Sequence, residues 1–96
     1  MKKAYWITTY QSIKDPAKME AYRLLAGPAL MALGGRFIVR GMPEKIYERG
    51  QMERVVVIEF DSMEKAIAAH DSNAYQHALK VLDDGALRDI RFVEAV

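Results

Sequence analysis

Four β-branched residues stand in a row inside Arg54-Val-Val-Val-Ile-Glu-Phe60, with no polar position between them. That pattern reads as a strand covered on both faces, where a half-buried strand would alternate apolar and polar residues. Tyr5-Trp-Ile-Thr-Thr-Tyr10 is also aromatic and β-branched, and predicts a first strand over about residues 4 to 11. After Asp15-Pro16 the period changes. Met19, Tyr22, Ala26, Leu30 and Leu33 recur three or four apart and form one apolar helical stripe. Asp15 offers an acceptor to the first-turn amides, and Pro16 has a preset backbone angle where its missing N–H costs nothing. Gly27-Pro28 interrupts the stripe. A proline there deletes a helical hydrogen bond and crowds the preceding turn, so a kink or break is expected near Ala26 before the helix resumes to Leu33.

Gly34-Gly35 supplies a left-handed cap, and Arg36-Phe-Ile-Val-Arg40 starts a second strand that Gly41-Met-Pro43 closes or bends. Residues 44 to 53 hold Ile46 and Tyr47 among charges and predict a strand extension with a turn at Gly50, before a third strand over 54 to 60. Ser62 caps a second helix, with Glu64 favourably placed in its first turn. That helix is carried to Asp71 by Ala66, Ile67, Ala69 and His70. Ser72 caps a further segment with the stripe Tyr75, Leu79 and Leu82, and Asp83-Asp-Gly85 ends it. Ile90-Arg-Phe-Val-Glu94 alternates as a last strand should. The order βαββαβ, with the second helix split, predicts one α+β domain over residues 1 to 96: a ferredoxin-like, four-stranded antiparallel sheet with both helices on one face.

A chain of 96 residues has too few helices to cover both faces of such a sheet. Either parity of the strands leaves the second face largely apolar. Four or five such side chains left wet would forfeit on the order of 8 to 12 kcal/mol, at roughly 2 kcal/mol each, comparable to the whole stability of a small domain. A second copy of the chain, laid sheet to sheet, is the expected cover. Fourteen basic residues against thirteen acidic ones give a net charge of +1, which does not favour a polyanion. RNA-recognition domains of the same element order need stacking aromatics on the third strand, where this chain has Val and Ile, so no nucleic-acid partner is expected. There is no cysteine, which removes disulfides and thiolate chemistry and fits a reducing compartment. The residues after Met1-Lys-Lys are too polar for a signal-peptide core, and no apolar run reaches bilayer length; no membrane partner and a cytoplasmic location are expected.

Few residues carry candidate chemistry. His70, near the end of a helix, can titrate close to neutral pH and act as acid or base; beside Asp71 it reads equally as a cap or surface residue. Glu59 ends an apolar strand, where burial would raise its pKa unless Arg36, Arg40 or Arg54 answers it, either as a carboxylate-orienting pair or as a structural ion pair. His70 and Glu59 are the candidate catalytic groups. Arg36 and Arg40, two positions of one parity, are expected on one strand face, as an anion clamp or as edge charges that discourage aggregation. Arg40 is the candidate ligand clamp, and Trp6 and Tyr22 the candidate apolar walls. Gly34-Gly35 follows a helix and opens a strand, the reverse of a phosphate loop. Asp83, Asp84 and Asp89 lack calcium-loop spacing, and His70 and His77 form no ligand cluster, so neither a metal nor a cofactor is expected.

Tyr5-Trp6-Ile7, Gly34-Gly-Arg-Phe-Ile-Val-Arg-Gly41, Arg54-Val-Val-Val-Ile-Glu-Phe60 followed by Ser62, and Ser72 with Tyr75-Gln76 together resemble the domain-of-unknown-function family 1330, a branch of the dimeric α+β barrel superfamily. The resemblance covers nearly the whole chain. It implies a ferredoxin-like monomer that pairs through its sheet into a homodimer, and no particular reaction. Ala69 and His70 stand where relatives tend to carry aromatics. Two functions fit this reading: a cofactor-independent enzyme acting on a small organic molecule in a cleft between sheet and helices, or a non-catalytic dimeric module that binds or senses a metabolite in the same cleft.

Overall fold

In a computed structural model that describes residues 2–96, β1 (Ala4–Ile13) is the pivot of the sheet. It pairs antiparallel with β3 (Val55–Phe60) on one side and with β4 (Ala86–Glu94) on the other. β2 (Arg36–Gly41) pairs antiparallel with β3 and completes the order β2-β3-β1-β4. α1 (Pro16–Ala32) joins β1 to β2, while α2 (Met63–His70) and α3 (Asn73–Leu82) join β3 to β4. This is the ferredoxin-like βαββαβ arrangement, with the second helix split at Asp71-Ser72. Ser62 Oγ accepts from the Lys65 amide and Ser72 Oγ from the Tyr75 amide, so each segment has its own cap.

Alternation along the central strands sorts the two faces. Ala4, Trp6, Thr8 and Tyr10 of β1 and Val56, Ile58 and Phe60 of β3 are buried beneath the helices. Ile7, Val55 and Val57 point the other way and are half-buried. The valine-rich run therefore divides between the core and an outer face that no element of the same chain covers. That outer face is apolar at its centre and charged at its ends, where Arg36 pairs with Glu59 and Arg91 with Asp89.

Asp15 accepts from the amides of Ala17 and Lys18 at 3.0 and 3.1 Å, with Pro16 at the first helical position. α1 then runs unbroken through Pro28, against the break expected near Ala26. The proline removes the donor that would serve the Leu24 carbonyl, but Pro28 is exposed and Leu24 is 67% exposed, so water can take that place. Met19, Tyr22, Ala26 and Leu30, buried on both sides of Pro28, keep the two halves against one surface. At the helix end Gly34 adopts φ +95°. A Cβ on Gly35 would lie 2.9 Å from both the Leu30 carbonyl oxygen and Phe60 Cζ, so only glycine lets β2 enter the sheet this close to α1.

Three further expectations are corrected. Residues 44 to 53 add nothing to the sheet: the ladder of β2 and β3 ends at Gly41 and Val55, and the segment between is irregular, with a turn closed by the Gly50 amide on the Tyr47 carbonyl. Pro43 cannot donate to a ladder, and Glu48 takes a left-handed φ of 52°, so a regular strand does not continue there. β4 begins at Ala86, well before Ile90, because β1 extends to Ile13 through an irregularity between Tyr10 and Ser12 and supplies the ladder. Finally, Arg36 and Arg40 do not share a face. Phe37 pairs with Ile58 but Val39 pairs with Val57, so Ile38 is an extra residue in β2. Beyond this bulge the parity reverses, and Arg40 joins Val56 on the helix side while Arg36 stays with Glu59 outside.

Candidate functional site

α1 leans chiefly on α3, and between α1 and the sheet lies a cavity of about 300 Å³. Trp6, Thr8 and Tyr10 of β1 with Val56 and Ile58 of β3 make its floor. Met19, Tyr22, Ala26 and Leu30 of α1 make its roof, with Leu24 and Met31 at the rim. Phe37 and Arg40 close it from β2, Arg54 from the start of β3, and Arg88 from β4. The small side of α1 at Ala26-Gly27 keeps the space open.

The polar groups of this cavity are donors almost throughout. Arg88 Nη1 donates to the Tyr22 hydroxyl at 3.1 Å, and Tyr22 and Tyr75 share a buried hydroxyl pair at 2.8 Å. The Arg88 guanidinium lies 5.1 Å from the Tyr22 ring centre and 5.7 Å from that of Tyr10, within cation–π range. Arg40 stands 5.0 Å from the Phe37 ring centre. Burial pushes the phenols of Tyr10 and Tyr22 up from their ordinary range, further for Tyr22, whose neighbour Tyr75 adds to the effect. Both therefore remain protonated at neutral pH. Trp6 Nε1 and Arg54 Nε, on two of the lining residues, are themselves sealed from the open space and have no hydrogen-bond partner among the described residues. No lining residue is a histidine, aspartate or glutamate.

Trp6, Tyr22 and Arg40 thus come together around one space. The other two candidates stand elsewhere. His70 is not a lining residue of the cavity; its ring packs 5.4 Å from Trp6 and 5.2 Å from Tyr75, beside a shallow hollow shared with Ile67 and Phe92. Its Nδ1 is 2.9 Å from Asp71 Oδ1. Glu59 is on the outer face of the sheet, where it accepts from Arg36 Nε at 2.9 Å and from the Tyr5 hydroxyl at 3.0 Å, with Lys3 at 3.6 Å. Arg36 foremost, and then Tyr5, hold its carboxyl below the usual glutamate range. Of the three arginines considered as its partner, Arg36 is the one that answers it. Among the described residues no three His, Cys, Asp or Glu side chains gather as a metal-holding group, and no helix is long and apolar enough to cross a membrane.

Arg54 and Arg88 are cavity residues that the sequence reading did not single out as such. A signal for Arg88 existed: it shares parity with Ile90 and Phe92, so a charge there falls on the core side of the strand.

The same architecture recurs in solved structures. A protein of unknown function from Rhodopseudomonas palustris superposes with a TM-score of 0.76 at 14% identity, covering 99% of this chain and 83% of that one. SnoaB, a cofactor-independent oxygenase from Streptomyces nogalater, gives 0.65 at 13% identity, covering 100% and 95%. A dimeric protein of unknown function and ferredoxin-like fold from Bacteroides fragilis gives 0.62 at 14%, covering 97% and 96%. At these identities the likeness is one of fold, and it places the chain in the ferredoxin-like α+β class whose members include dimers and an oxygenase. The family is narrower. The model of the Domain of unknown function (DUF1330) matches residues 3–96, and the chain belongs to that family. None of the curated proteins matches the sequence at a significant level.

Proposed function

We propose that this protein binds a small organic molecule in the cavity beneath α1, as a homodimer paired through the outer face of its sheet. One observation carries the binding site: the half-buried Arg54 and Arg88, with Arg40, line the cavity, and no carboxylate among the described residues answers them. A guanidinium taken partly out of water without an anionic partner carries a desolvation cost, so an acceptor inside the cavity is what these groups call for. The volume, about 300 Å³, lies at the small end of ligand pockets, which run on the order of 300–1,000 Å³, and suits a molecule of one or two rings. Trp6 and Tyr22 are its walls, and Arg40 a cation at its edge.

The geometry favours binding or sensing over base catalysis. A general base needs to be within reach of the proton it takes, and the lining phenols and guanidinium groups accept no proton at neutral pH. In this reading His70 and Glu59 have structural parts, His70 in the aromatic cluster with Trp6 and Tyr75, Glu59 in the outer ion-pair cluster. A second reading draws on the fold shared with SnoaB, a cofactor-independent oxygenase. A substrate that arrives already ionised needs no base, and the Arg88 and Tyr22 donors would hold its charge while oxygen reacts with it.

The test is a thermal-shift screen of small carboxylates and aromatics followed by turnover assays on the hits. Trp6 is the sole tryptophan, so its indole N–H gives one readable signal in a ¹H–¹⁵N spectrum. Hits that move that signal without turnover support the binding module, and turnover supports the second reading. Hits that stabilise the protein while the Trp6 signal stays put would place the site elsewhere.

A further inference from the structure

Three of the four arginines that line the cavity are gathered at one end of it. The Tyr10 amide donates to the Arg54 carbonyl at 3.0 Å, and Tyr10 is paired with Arg88 across β1 and β4. Arg54 and Arg88 therefore flank Tyr10 on the two neighbouring strands. Arg40 pairs with Val56, two residues along from Arg54, and the bulge at Ile38 turns it to the same side. Arg23, the fourth arginine at the cavity, is answered by Glu20 at 3.2 Å. Arg40, Arg54 and Arg88 have no carboxylate partner among the described residues, and no carboxylate lines the cavity. The other cations without a carboxylate partner among the described residues, Lys2, Lys14, Lys45, Arg49 and Lys80, are exposed to solvent, whereas Arg54 and Arg88 are half-buried. Two half-buried cations left unanswered beside a third at the rim, the exposed Arg40, run against the cost of desolvating like charges together.

We infer that the ligand of this cavity is an organic anion, a carboxylate on a flat apolar body, with its head group among Arg54, Arg88 and Arg40 and its body on Trp6 and Ile58. The inference rests on the cavity being the binding site proposed above. A guanidinium fork matches a carboxylate with two parallel donors, which a neutral hydroxyl cannot use. The phenols of Tyr10 and Tyr22, protonated at neutral pH, add donors and no competing negative charge. The Arg54 guanidinium, half-buried and without a carboxylate partner among the described residues, is the group that the head would answer.

The experiment compares 2-naphthoate with 2-naphthalenemethanol, a neutral probe of similar shape, by titration into the ¹⁵N-labelled full chain with the Trp6 indole signal as readout. Naphthoate is expected to bind at least about tenfold more tightly, as hydrogen bonds to a charged group imply. In Arg54→Gln that preference falls toward unity while the affinity for the alcohol is unchanged. Arg88→Gln is expected to do the same; should loss of its bond to Tyr22 unfold the chain, Arg54→Gln and Arg40→Gln decide. Equal affinity of the two probes for the native protein overturns the inference and leaves the cavity site standing. A preference for naphthoate that survives Arg54→Gln and Arg40→Gln, and Arg88→Gln where that variant folds, also overturns it, because the charge would then be read elsewhere. If neither probe moves the Trp6 signal, the cavity reading falls and the inference falls with it.

Discussion

Tyr22 of α1 and Tyr75 of α3 meet hydroxyl to hydroxyl at 2.8 Å, deep in the core and far apart in sequence. The pair ties the two long helices together, and Arg88 joins it to β4 through a bond of 3.1 Å to Tyr22. Tyr75 is fully buried, so Tyr75→Phe removes one hydroxyl with little change of shape. Its expected cost is about 0.5–1.5 kcal/mol, the net worth of a buried neutral hydrogen bond, since Tyr22 keeps Arg88 as a partner. Urea unfolding should show a lower midpoint at an unchanged slope.

The outer ion pair makes stability depend on pH in one direction. Arg36 first, then Tyr5, hold the Glu59 carboxyl below its ordinary range in the folded chain. A carboxylate with a lower pKa folded than unfolded contributes stability that is present above its unfolded value and lost as pH falls through its folded value. In Glu59→Gln the decline of stability on acidification should be shallower than in the native chain. Urea midpoints at about pH 7 and about pH 3 measure it; parallel declines would mean that the pair contributes nothing to folding. The same variant should leave ligand affinity untouched, because Glu59 faces away from the cavity.

Val57 sits at the centre of the uncovered sheet face, paired with Ile7 on one side and Val39 on the other. An aspartate there would be desolvated by a partner sheet but tolerated by solvent. Val57→Asp is expected to fold with an unchanged circular dichroism spectrum and to run as a 10.9 kDa species in light scattering, where the native chain runs at twice that mass. A native chain that stays at 10.9 kDa at micromolar concentration ends the dimer proposal.

Pro28 leaves the Leu24 carbonyl without its helical donor. Pro28→Ala restores that donor in a helix that already runs through the position, and the gain is expected to be about 1–2 kcal/mol after the greater freedom of the unfolded chain is counted. Thermal unfolding checks it: a melting temperature equal to or below that of the native chain would show that the proline fits α1 without strain.

Most of the fold was legible because it rests on local rules. Asp15-Pro16, Ser62 and Ser72 are cap residues whose chemistry starts helices in any setting, and Gly34-Gly35 ends one. The misreadings of β2 and β4 share one cause, which is tertiary pairing. Nothing in Arg36-Phe-Ile-Val-Arg40 announces that Ile38 will be skipped by the ladder; only the register against β3 decides it. Nothing local in residues 86 to 89 assigns them to the last strand before β1 offers them a partner. The cavity was half legible for the same reason. Trp6, Tyr22 and Arg40 were chosen by residue type, and the fold brings them together, whereas Arg54 and Arg88 become neighbours only through Tyr10, which contacts both across the sheet. His70 drew attention by its titration range, a property of the side chain that says nothing about where the chain puts it.

The single skipped residue in β2 decides two surfaces at once. Were this edge strand to pair in strict alternation, Val39 and Arg40 would trade places, moving a cation from the edge of the cavity to the face proposed for a second subunit. With the proposed cavity site and sheet-to-sheet dimer, ligand recognition and self-association are not independent traits in this chain. A variant that straightens the strand changes both together, and selection acting on either one would keep the irregularity in place for the sake of the other.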